Sequence, residues 1–281
     1  MSKPTIYFSG MLKDRYPELF TDIVDRFSRH RQPYGILEHT NDIWCRDYMP
    51  VYGAGGIPIQ FQYQPSYLEK YPDDKTDPRK VVRPLPVVTV ASELKLDGGN
   101  VILQNGVAIV SERVFDENKQ WSRHDVEKEL IEKLELERVI FIEAEKVQDD
   151  LTGHVDGMCR FSDGGKVLLN DFLNVPLGKR VRKQLEQAGF EVTPLQVNPD
   201  FYTNDRDWLP AINFLETDDV LYLPVTDANS SFEEEIVQQM EHIFPGRIIE
   251  PIDVSAIIQV RYNGRVEDGG ALNCVSWEMK A

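Results

Sequence analysis

The sequence predicts an α/β fold: a five-bladed pseudo-symmetric α/β propeller of ββαβ repeats, closed by pairing of the two terminal strands. Three observations carry this expectation. One hairpin–helix–strand unit recurs at intervals of roughly 50–60 residues. A strand at each end of the chain lacks a partner. Carboxylates recur at the hairpin entrances, with a His beside them at one entrance and a Cys at two.

The clearest unit begins at Asp97, where GNVILQNGVAIVSERV places two apolar runs around Asn105-Gly106, a strong short hairpin signal. Residues 122–136 follow with Val126, Leu130, Ile131 and Leu134 at helical spacing, and 138–144 reads as a buried strand. The order repeats through a hairpin at 158–170 around Asp163-Gly164-Gly165, a helix at 177–190 stopped by Gly189, and a strand at 191–197. A third copy covers 211–225, 232–243 and 247–254, and a further hairpin is expected at 46–63. The N-terminal strand 5–10 leads into a helix at 14–30 and a strand at 34–38, while 271–277 is a strand with no successor. Pairing these two end strands supplies the fifth hairpin. Such units cannot bury their sheets alone, and stacking around a common axis buries them all. Residues 1–281 are therefore expected to form one domain.

The chain has 281 residues, 41 % of them hydrophobic, enough for a substantial core. No apolar run reaches the length of a membrane span, and the first residues carry no secretory signal, so a cytoplasmic protein is expected. Three widely spaced cysteines argue against a disulfide framework, and five histidines without a CxxC leave little for a zinc site. No metal and no cofactor are expected. A formal net charge of −16 disfavours nucleic acid and anionic membranes and tolerates a small cationic ligand. Homo-oligomerisation is left open.

The five entrances read Trp44-Cys45-Arg46-Asp47, Leu96-Asp97-Gly98-Gly99-Asn100, Gly153-His154-Val155-Asp156-Gly157, Asp205-Arg206-Asp207-Trp208 and Glu267-Asp268-Gly269-Gly270-Ala271-Leu272-Asn273-Cys274. Each has an ordinary explanation alone: a buried Cys is a small hydrophobe, and Asp-Gly-Gly is a common turn. Matching positions in a repeat make a shared polar centre the better account.

The set W-x-R-D-x-x-P, L-D-G-G-N, G-H-x-D and G-G-x-x-x-C, in this order from Trp44 to Cys274, resembles the agmatine deiminase and bacterial peptidyl-arginine deiminase family of the guanidine-modifying superfamily. The resemblance implies a five-bladed α/β propeller and cysteine-dependent hydrolysis of a guanidinium. Its lead substrate is agmatine, giving N-carbamoylputrescine and ammonia, a step of polyamine biosynthesis. It assigns Cys274 as nucleophile, His154 as proton carrier and Asp97 as the carboxylate orienting the imidazole. Asp47 and Asp156 would clamp the guanidinium nitrogens, and Trp44 would lend an aromatic face. The chain departs from the family pattern at Asp97, where Glu is usual, at Met49 before Pro50, at Leu151-Thr152 before Gly153, and at Asn273, where His is common. The chemistry is thus better specified than the substrate. A peptidyl-arginine or other alkylguanidine deiminase, a dimethylarginine-type hydrolase or an amidinotransferase, and a non-catalytic guanidine-binding protein are the alternatives.

Overall fold

In the computed structural model, the described residues are 3–144, 152–170, 175–195, 210–226, 231–262, 265–268 and 270–280. Their strands are β1 (Thr5–Ser9), β2 (Tyr34–Leu37), β3 (Val51–Tyr52), β4 (Pro58–Gln62), β5 (Val90–Lys95), β6 (Val101–Gln104), β7 (Val107–Ser111), β8 (Arg138–Ile142), β9 (Cys159–Phe161), β10 (Val167–Asn170), β11 (Val192–Leu195), β12 (Leu215–Glu216), β13 (Val220–Val225), β14 (Ile248–Asp253), β15 (Gln259–Tyr262), β16 (Arg265–Asp268) and β17 (Ser276–Met279).

Five three-stranded sheets result, ordered β17-β1-β2, β3-β4-β5, β6-β7-β8, β9-β10-β11 and β12-β13-β14. In each, the middle strand pairs antiparallel with one neighbour and parallel with the other, across a helical crossover. The crossovers contain the helices Pro17–Arg29, Pro78–Val82, Arg123–Leu134, Val175–Gln187 and Ser231–Ile243. We number the blades one to five from the sheet containing β1. The first is built from both chain ends, with Thr5 opposite Met279 and Phe8 opposite Ser276. The chain is a five-bladed α/β propeller closed by its termini, as the repeat predicts.

Strand alternation explains the ring. A middle strand sends successive side chains to opposite faces, and here each face meets a different neighbouring blade. On β7, Ala108 and Val110 enter the core shared with the second blade, and Ile109 enters the core shared with the fourth. On β13, Leu221 and Leu223 face the fourth blade, whereas Val220 and Tyr222 face the first. All six residues of β13 are buried, as expected for a strand covered on both faces. The middle strands β7, β10 and β13 thereby each join two cores.

The helices complete those cores with one apolar stripe each. In Pro17–Arg29, Pro17 occupies the first turn, where a missing N–H costs nothing, and Leu19, Phe20, Ile23 and Phe27 are buried on one side. Full burial of one such side chain is worth about 1.5–3 kcal/mol.

Three details differ from the sequence reading. The closing strand is Ser276–Met279; Ala271–Val275 forms a turn, with Val275 N donating to the Ala271 carbonyl at 3.2 Å. The expected hairpin at 46–63 begins later, at Val51, because Cys45–Tyr48 is a helical turn. An extra hairpin, β15 with β16, stands between the fifth blade and the closing turn. No helix among the described residues is long and apolar enough to cross a membrane.

Candidate active site

Helical turns stand ahead of the first strand in four of the blades. They are Cys45–Tyr48 before β3, Gly98–Asn100 before β6, Val155–Gly157 before β9 and Pro210–Ile212 before β12. The turn 272–275 stands at the same place before β17. These five entrances meet, and the polar residues they carry form one cluster.

Asp47 comes from the first turn, which is anchored from both sides. Asp42 accepts from Trp44 N at 2.8 Å, and Arg46 N donates to the Cys274 carbonyl at 3.0 Å. Asp97 immediately precedes the second turn, where Gly99 N donates to Asp47 Oδ1 at 3.1 Å. A Cβ on Gly99 would stand 2.6 Å from Asp47 Oδ1 and 2.9 Å from His154 Nδ1, so these two side chains require glycine there. His154 and Asp156 flank Val155 at the third turn. Gly153, at φ +60°, sets the approach, and its carbonyl accepts from Ser111 Oγ at 2.6 Å.

The His154 ring lies between two carboxylates, with Nε2 3.1 Å from Asp97 Oδ2 and Nδ1 3.4 Å from Asp47 Oδ1. Burial opposes charging of the ring, but Asp47 and Asp97 outweigh it and hold His154 well above the usual imidazole range. Burial pushes Asp47 up as well, His154 pulls it down, and Asp97 and Asp156 add repulsion. The surrounding carboxylates thus favour the protonated form of the ring.

Cys274 Sγ faces Asp156 Oδ2 at 3.4 Å, and Asn273 Nδ2 donates to the same oxygen at 2.6 Å. Burial, then Asp156 and Asp47, push the Cys274 thiol well above its ordinary value. Cys45 and Cys159 are fully buried, whereas Cys274 is only partly buried. Trp44 is half-buried beside this group. A Cβ on Gly270 would meet Cys274 Sγ at 2.6 Å and Trp44 Cζ3 at 3.0 Å, so the thiol and the indole both crowd that glycine.

The structure thus gathers Trp44, Asp47, Asp97, His154, Asp156 and Cys274, the six residues singled out from sequence. The entrance segment 205–208 lies outside the described residues. Three further residues were not assigned a role from sequence. Asn213 Oδ1 accepts from Ala271 N at 3.1 Å and Cys274 N at 3.2 Å, while its Nδ2 donates to the Asp156 carbonyl at 3.3 Å. Its sequence signal is a lone amide in the apolar run Ala211-Ile212-Asn213-Phe214. Asn273 was visible only as a departure from a motif. Tyr67, whose hydroxyl donates to Asp97 Oδ2 at 3.0 Å, sits in a polar loop and has no signal.

Comparison with known proteins agrees with this architecture. The family model of the Porphyromonas-type peptidyl-arginine deiminase matches residues 25–279. A C. jejuni agmatine deiminase with substrate bound superposes with a TM-score of 0.75 at 15 % identity, covering 99 % of this chain and 93 % of that one. An Enterococcus faecalis agmatine deiminase gives 0.72 at 16 % identity, with coverage of 99 % and 93 %. A Legionella pneumophila protein provisionally named agmatine deiminase is 27 % identical over 203 residues. That match takes in 68 % of this chain and 55 % of the relative, so it spans little more than half the relative's length.

Fold and site together define the class, a five-bladed α/β propeller with a polar centre built from its blade entrances. The chain belongs to the Porphyromonas-type peptidyl-arginine deiminase family.

Proposed function

We propose that this protein deiminates a small guanidinium compound, with agmatine as the lead substrate, by covalent catalysis at Cys274. The observation that carries the reading is the placement of Asp47 and Asp156 around one thiol and one imidazole. A planar cation between two carboxylates would bring its central carbon to Cys274 Sγ. Membership of the deiminase family supports the same class of reaction.

In the free enzyme the thiol and the imidazole both hold their protons, because the surrounding charge is negative. A bound guanidinium reverses that field. One positive charge about 4 Å away, at an effective dielectric of about 20, lowers the thiol by about 4 kcal/mol, or about 3 pH units. Cys274 loses its proton to solvent and attacks the guanidinium carbon as thiolate. Collapse of the tetrahedral adduct breaks a C–N bond, and His154 supplies the proton with which ammonia leaves. Water then attacks the thiouronium carbon while His154 takes a proton from it. The C–S bond breaks, giving the ureido product and the free thiol. Asp97 holds the ring through both transfers.

Ammonia release from agmatine, free arginine, methylated arginines and arginyl peptides tests the proposal. Turnover of agmatine above the others is expected. Preference for arginyl peptides would reassign the substrate, and no ammonia from any of them would remove the reading.

A further inference from the structure

The segment between β4 and the helix Pro78–Val82 carries no motif, yet it delivers one side chain to the polar centre. Its helical turn Ser66–Leu68 is held from the third blade. Ser66 Oγ donates to Glu117 Oε1 at 2.7 Å, and Ser66 N donates to Oε2 at 3.2 Å. Arg113 Nη2 donates to Ser66 Oγ at 2.8 Å and pairs with Glu117 at 2.9 Å. Such charge-assisted bonds fix the turn and with it the position of Tyr67.

The Tyr67 hydroxyl donates to Asp97 Oδ2 at 3.0 Å, the oxygen that also meets His154 Nε2 at 3.1 Å. The phenol ring stands edge-on to the imidazole, with centroids 6.2 Å apart. Burial and the charge of Asp97 push the Tyr67 phenol well above its ordinary value, so it remains a donor at any working pH. One carboxylate oxygen therefore serves two donors.

We propose that Tyr67 is a positioning residue of this site: its hydroxyl shares Asp97 Oδ2 with the imidazole and so weakens the carboxylate's hold on the ring proton. The proposal rests on the reading of His154 as the proton carrier. That ring must release a proton to ammonia and then regain one from water. The charged groups facing it are Asp47 at Nδ1, Asp97 at Nε2 and Asp156 beyond, and each favours retention of the proton. The hydroxyl of Tyr67 takes up part of the negative charge of Asp97 and shifts the ring toward release.

Tyr67→Phe removes the hydroxyl and keeps the ring. In protein labelled with 15N-histidine, with His154→Asn identifying the resonances, the His154 titration should move alkaline by about half to one pH unit, the size of one ordinary hydrogen bond. The His154 ionisation in the pH profile of kcat/KM should move with it. Site-specific 3-fluorotyrosine at position 67, a stronger donor of the same shape, should move the titration to acid, and it provides the measurement if Tyr67→Phe folds poorly. A purely structural tyrosine would leave the titration in place in both. No movement, an acid shift in Tyr67→Phe or an alkaline shift with fluorotyrosine overturns the proposal while leaving the deiminase reading intact. Absence of ammonia release by the wild-type protein removes that reading, and the titration still decides how Tyr67 acts on the ring.

Discussion

Replacing Asp156 with Asn should make Cys274 react faster with a neutral alkylating agent while deimination collapses. Asp156 Oδ2 lies 3.4 Å from Cys274 Sγ, and its carboxylate is buried, so its charge opposes formation of the thiolate. At an effective dielectric of about 20, that opposition is about 4–5 kcal/mol, or about 3 pH units. A more acidic thiol is a weaker intrinsic nucleophile, with a Brønsted coefficient near 0.5, so roughly half the gain in thiolate survives as rate. Iodoacetamide should therefore label Cys274 about 30-fold faster at pH 7 in Asp156→Asn. On the proposed mechanism the same substitution would also delete a charge-assisted contact to the guanidinium, worth about 1.5–3 kcal/mol, so kcat/KM should fall by about 10- to 100-fold. Peptide mapping by mass spectrometry reads the labelling, and a melting curve confirms that the variant is folded. Unchanged or slower labelling in a folded variant would refute the electrostatic account of this thiol.

Chloroacetamidine, a cationic electrophile shaped like a guanidinium, should alkylate Cys274 in preference to Cys45 and Cys159. Cys274→Ala should abolish both labelling and ammonia release, and mass spectrometry locates the adduct. Gly99→Ala should lose most activity with modest loss of stability, because the new methyl would displace Asp47 and His154; kinetics and melting read the two effects separately. Asn213→Ala should cost about 2–4 kcal/mol in a urea titration, since Ala271 N and Cys274 N lose their acceptor. Asp42 is pushed up to about 8 by burial, so its favourable contribution to folding is complete below the ordinary carboxylate value and is lost as pH rises through about 8. Asp42→Asn should therefore raise the melting temperature more at pH 8.5 than at pH 5.

The repeat was readable because its signals are local. Asn105-Gly106 marks a hairpin, and the apolar stripe of 123–134 marks a helix, whatever the surroundings. Ring closure followed from two unpartnered end strands. The start of β17 was misplaced because Ala271-Leu272 reads as strand in isolation, whereas the acceptor oxygens of Asn213 hold that stretch as a turn. The hairpin of β15 and β16 was missed although Asn263-Gly264 repeats the dipeptide at 105–106. The clustered residues that lie in motifs could be named in advance. Tyr67 and Asn213 could not be assigned, since each contacts partners distant in sequence and no spacing rule connects them.

Pairing of β17 with β1 also has a kinetic consequence. It joins the two most distant strands of the described chain, and contacts of such long sequence separation are slow to form. Cys274 stands two residues before β17, and its turn leans on the second blade through Arg46 and on the fifth through Asn213. The thiol environment is thus completed in the same event that zips the ring shut. During refolding, recovery of selective chloroacetamidine labelling should lag behind helix formation and coincide with burial of Trp277, whose Nε1 donates to the Pro50 carbonyl across the seam. The protein would carry its own clock for ring closure, read out at a single sulfur atom.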